Sequence, residues 1–75
     1  MNLSELKKGQ AGRVVKLSAV PQLRRRLLDM GVLVGEMIRV VGVAPLGDPV
    51  EVTVKNYKLS LRKKEVEGVI VEEVS

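Results

Sequence analysis

The sequence predicts a mainly β fold: a small, closed or nearly closed barrel of five short strands with one inserted helix. Three observations carry this. Val50, Val52 and Val54 alternate with Glu51, Thr53 and Lys55, the period of a strand with one buried and one wet face. Five short apolar runs are separated by glycine, proline or asparagine, the punctuation of tight turns. Tyr57 is the single aromatic residue, so Val and Leu must fill the core, a β-biased choice. Curling into a barrel removes the two unpaired edges that an open five-stranded sheet would expose. A chain of 75 residues has length for one domain, taken as residues 1–75.

The elements follow in order. Asn2 can cap a short helical turn near residues 3–8 while Glu5 reaches back to it, and Gly9 stops it. A first strand is expected over residues 10–17, with Gly12 marking a bulge or a close backbone approach. Pro21 opens a helix over about residues 21–30, because its missing N–H is not needed in a first turn. Leu23, Leu27 and Met30 share one face of it, Arg25 and Asp29 lie opposite at i,i+4 spacing, and Gly31 closes it in the left-handed conformation. Residues 36–43 form the second strand. The stiff loop Ala44-Pro45-Leu46-Gly47-Asp48-Pro49 leads to the third at Val50. Asn56 is the expected site of positive φ before a fourth strand at Tyr57, and a helical turn near residues 62–67 precedes a fifth from Val69.

Composition excludes several functions. Cys and His are both absent, which removes disulfides and any structural zinc site built from one chain. The longest uncharged stretch, residues 40–47, is far short of the ~20 apolar residues a membrane helix needs. Glu5, Lys7 and Lys8 occupy the place where a secretory signal would have its apolar core, so a cytoplasmic location is expected. No Ser, Thr, Tyr or Lys stands beside an evident base, and no glycine loop can cradle a phosphate; the expectation is a non-enzyme with no catalytic residues and no cofactor.

Positive charge is concentrated in Arg24-Arg25-Arg26 and in residues 55–64. Such stretches attract phosphate, an acidic protein face or a membrane surface, or are simply solvated and offset by Glu65, Glu67, Glu72 and Glu73.

Five blocks then occur in a specific order: Leu-x-x-Leu-x-x-Gly at residues 3–9, Leu23-Arg24-Arg25-Arg26-Leu27-Leu28-Asp29-Met30-Gly31, Gly35, the 44–49 loop, and Tyr57-Lys58-Leu59-Ser60-Leu61-Arg62-Lys63-Lys64-Glu65. Together they resemble the ferrous iron transport protein A (FeoA) family over nearly the whole chain. The resemblance implies an SH3-like barrel and a cytosolic accessory protein of bacterial ferrous iron uptake. Its implied partner is the cytosolic domain of the large permease with a G-protein domain, ferrous iron transport protein B, which would hold it at the inner membrane. The same fold occurs in metal-dependent repressors, so transition-metal binding is implied as well. Asn56 stands where the family commonly has Gly, and Val34 where it often has Pro; neither departure alters the expected fold.

The candidate partner-binding residues are Arg24, Arg25, Arg26, Leu46 and Asp48. The arginines form a docking face, or supply an arginine finger to a GTPase. Alternatively Arg24 lays its stem on the barrel, Arg25 pairs with Asp29 and Arg26 is solvated. Reversing all three charges is expected to weaken docking without unfolding the barrel. Leu46 either presents an apolar tip for a partner to cover or tucks back, and Asp48 can accept N–H groups within its own turn. For a ferrous or other divalent ion, Asp29, Asp48, Glu51, Glu72 and Glu73 form no compact ligand motif, and Glu72 and Glu73 point to opposite strand faces. No single-chain metal site is expected; a metal between protomers and a homo-oligomer stay open. The alternative function is electrostatic RNA or DNA binding, for which Tyr57 is the only stacking platform, so nucleic acid is not the expected partner.

Overall fold

The computed structural model describes residues 1–74. A 3-10 turn, Leu3–Glu5, is followed by β1 (Ala11–Leu17), α1 (Pro21–Asp29), β2 (Met37–Val43), β3 (Val50–Val54), β4 (Tyr57–Leu61), α2 (Lys63–Glu67) and β5 (Val69–Val74). The strands form one antiparallel sheet in the order β4-β3-β2-β1-β5. The mainly β, five-stranded architecture is the one expected. Its register shifts at Val14/Lys16 in β1 and at Val40/Gly42 in β2, the irregularities that bend strands and let a sheet curl.

Curling brings the inward residues of all five strands together. Val14, Ile38, Val52, Leu61 and Val71, one from each strand, belong to a single buried cluster, which Leu27 of α1 and Val66 of α2 complete. Gly12 is the close approach: a Cβ there would lie 2.9 Å from Val71 Cβ. The edge strands β4 and β5 do not pair with each other among the described residues, and α2 carries the chain from one to the other. On its outer side β5 is covered by residues at the start of the chain: Val71 N donates to Met1 O at 2.7 Å, and Asn2 bridges Ile70.

The capping of the first turn is as expected. Asn2 Oδ1 accepts from Ser4 N at 2.9 Å and Glu5 Oε2 from Asn2 N at 2.7 Å, but the turn spans only Leu3–Glu5. Helix α1 stops at Asp29, with Met30 as its cap and Gly31 at φ +89°. One turn assignment is corrected. The positive φ of the β3–β4 hairpin falls on Lys55, at 56°, and not on Asn56. Val54 pairs with Tyr57, leaving a two-residue loop, and both favoured two-residue turns need positive φ at the first position, which Lys55 holds.

Gly31 joins α1 to that hairpin. The Tyr57 hydroxyl donates to Met30 O at 3.3 Å and occupies the space a Cβ on Gly31 would need. Gly31→Ala is expected to lower stability by about 1–2 kcal/mol, from the left-handed backbone and the displaced tyrosine together. Urea unfolding checks this, and Tyr57→Ala in the same chain should relieve the steric part alone.

Candidate functional site

Helix α1 is fastened by its apolar stripe: Leu27 is fully buried, and Leu23 and Met30 pack on the core from its margin. The stripe fixes the opposite face outward, so Arg24, Arg25, Arg26 and Asp29 are all exposed. The three arginines are not equivalent. Arg26 Nε donates to Glu65 Oε2, joining α1 to α2. The Glu65 side chain is 6% exposed and the Arg26 side chain 65%. The other carboxylate oxygen, Oε1, accepts from Arg62 N at 2.7 Å, so Glu65 also closes the first turn of α2. Expectations for two arginines are thereby corrected. Arg26 is tied to a buried carboxylate rather than merely solvated, because burial leaves Glu65 no water to bond. Arg25 and Asp29 make no ion pair among the described residues, since both are exposed and gain little from each other over water. The remaining ion pairs among the described residues are Lys55 with Glu36 at 3.5 Å and Arg62 with Asp48 at 4.0 Å.

In the loop after β2, Gly47 N donates to Ala44 O at 2.7 Å and Ala44 N to Pro49 O at 3.1 Å, which holds the tip in one shape. Leu46 stands on that tip 96% exposed, so it does not tuck back. Asp48 does not bond within its own turn: Oδ1 accepts from Lys63 N at 3.2 Å, fastening the loop to α2. Beside the loop lies a groove of about 260 Å³ lined by Leu3, Leu6, Val43, Val50 and Val66, with Lys63 on its wall.

The structure therefore brings together residues far apart in sequence. Arg26 meets Glu65 and Asp48 meets Lys63, so α1 and the loop flank α2 from two sides. Glu65 was not among the sequence candidates. Its signal was present: it directly follows the basic run and stands three residues after Arg62, the reciprocal position of a helix cap. Every buried side-chain polar atom among the described residues has a hydrogen-bond partner.

The residues do not fit a transition-metal centre: no three carboxylates converge among the described residues, and Glu65 and Asp48 are engaged by Arg26 and by the Lys63 N–H. Tyr57 donates its hydroxyl to Met30 O, bracing α1. No described helix is long and apolar enough to cross a membrane.

Comparison with known proteins adds the following. The FeoA domain family matches residues 1–73. A protein of Porphyromonas gingivalis described as an Fe(2+) transport protein A/Fe(2+) transporter FeoB fusion protein is 39% identical over 75 residues; these cover 100% of this chain and 9% of that protein. The chain thus spans less than a tenth of this curated relative. The NMR structure of a FeoA-like protein from Clostridium acetobutylicum superposes with a TM-score of 0.94 at 33% identity, covering 100% of this chain and 87% of that one. The crystal structure of Stenotrophomonas maltophilia FeoA complexed with zinc, described as an SH3 domain protein, gives a TM-score of 0.82 at 33% identity, with 96% and 89% covered.

Proposed function

The chain belongs to the FeoA family of ferrous iron transport accessory domains, and from that premise we propose that it acts by docking, through α1 and the 44–49 loop, on the cytosolic part of a ferrous iron transporter of the FeoB kind. Iron is the cargo of that transporter, and no chemical step is assigned to this chain. The observation that carries the reading is the Porphyromonas gingivalis relative, in which transport protein A and the transporter are one polypeptide. Covalent fusion keeps two domains at high effective concentration, an arrangement suited to domains that work in contact. Leu46 gives the reading a physical anchor. An exposed leucine forgoes the ~1.5–3 kcal/mol that burying its side chain would contribute, and a partner's surface can supply that burial.

On this reading the chain works in the cytoplasm, at the membrane through its partner. The test is affinity for purified transporter. Leu46→Asp should weaken binding roughly 30-fold, about 2 kcal/mol, and Arg24→Glu with Arg25→Glu should weaken it further while the melting temperature stays unchanged. Arg26 is left in place because it neutralises Glu65. Undiminished binding by the combined variant would remove this face from the reading.

A further inference from the structure

The two basic stretches of the sequence are neighbours in space. Arg26 of α1 contacts Glu65 of α2, and on the side of α2 toward α1, Lys64 lines a groove with Val20, Gln22 and Leu23. On its other side Lys63 borders the apolar groove beside the loop, and its backbone N–H holds Asp48, two residues from the Leu46 tip. Helix α2 thus lies between the arginine face and the apolar tip. Building on the docking reading above, we propose that α2 is the centre of the contact surface, and that the partner presents to it an acidic segment carrying an apolar side chain.

The chemistry of the surface selects this occupant. Arg24, Arg25, Lys63 and Lys64 are exposed and make no ion pair among the described residues. Arg26 uses only Nε on Glu65 and keeps its terminal amino groups at the surface, its side chain being 65% exposed. Glu65 and Asp48 are engaged from within: Glu65 is buried, and Asp48 accepts from Lys63 N with the Arg62 guanidinium at 4.0 Å. Glu5 is engaged by Asn2 N, which leaves Asp29, Glu67 and, beside the loop, Glu51 as exposed anions against the larger set of exposed cations Arg24, Arg25, Arg26, Lys63 and Lys64. A partner carboxylate therefore meets several unneutralised cations, and the guanidinium groups among them offer paired N–H donors that match its two oxygens. Leu46 and the adjacent groove account for the apolar side chain: charge steers the approach, and apolar burial holds the complex.

The experiment measures binding of the full chain to purified detergent-solubilised FeoB at several salt concentrations. Arg62→Gln, Lys63→Gln and Lys64→Gln together should lower affinity at least tenfold and flatten its salt dependence, whereas the charge-matched set Lys7→Gln, Lys8→Gln and Lys58→Gln should bind as the parent does. Lys64→Glu alone, at a residue with no ion-pair partner among the described residues, should weaken binding in the same direction even if the triple variant proves unstable. Parent-like binding by both α2 variants would overturn the proposal and leave the docking reading standing. Absence of binding by the parent chain would overturn both. Binding to vesicles of phosphatidylglycerol, but not of phosphatidylcholine, that is lost in the α2 variants would overturn it in another way, by showing that lipid headgroups occupy the surface.

Discussion

Arg26→Ala is expected to destabilise the fold by about 2 kcal/mol, although the residue removed lies mostly in solvent. The reason is what it leaves behind. Glu65 would remain a buried carboxylate with one oxygen bonded to Arg62 N and the other without its cation. Breaking a fully buried pair typically destabilises by ~3–5 kcal/mol, and the exposure of Arg26 reduces the figure expected here. In a domain of this size about 2 kcal/mol corresponds to a fall in melting temperature of roughly 8–16 °C. The effect should be asymmetric. Glu65→Gln leaves an exposed arginine free to be hydrated and keeps an acceptor for Arg62 N, so its effect should be smaller. The double variant Arg26→Met with Glu65→Met should recover most of the loss, because both charges are then gone. Thermal unfolding of the four proteins checks the order. Equal losses for Arg26→Ala and Glu65→Gln would contradict the assignment. Reversing all three arginine charges is, on the same grounds, expected to lower stability as well as to disturb docking, because the buried Glu65 would then face a glutamate.

Leu27→Ala is expected to cost about 3 kcal/mol, the larger of the two effects. Leu27 is the one fully buried side chain of α1, and removing its branched end leaves a void that the β-sheet cannot close. A nine-residue helix is too short to persist without tertiary packing, so α1 should fray and carry Arg24 and Arg25 with it. Circular dichroism and urea unfolding would report the loss. This variant should lose stability and docking together, whereas Arg24→Glu with Arg25→Glu should lose docking alone. That difference separates scaffold from contact surface.

The parts of the fold legible in the sequence are those governed by local rules. Strands β4 and β5 lie at Tyr57–Leu61 and Val69–Val74, as expected from apolar runs bounded by a turn or a glycine. Pro21 begins α1 and Gly31 follows its cap with positive φ, because the stereochemistry of those residues admits few other roles. The less legible features depend on partners distant in sequence. Nothing near Arg26 announces Glu65, and nothing near Asp48 announces Lys63, since each pairing is created when α2 crosses between the edge strands. Leu46 was legible as a candidate but not in its outcome. Loop composition is compatible with a tip folded down or standing clear, and the hydrogen bonds at Ala44 and Gly47 select the second. Lys55 was missed because residue type favoured Asn56, whereas position within the hairpin decides which residue takes positive φ.

The pairing of β1 with β5 joins Ala11 to Val74, across nearly the whole chain. As the polypeptide emerges from the ribosome, β1 can hydrogen-bond on only one side until residues 69–74 have been synthesised. Completion of the sheet is therefore a late, non-local event, and such topologies fold on the order of milliseconds to seconds rather than microseconds. A nascent chain halted before β5 would show a half-satisfied strand to quality control.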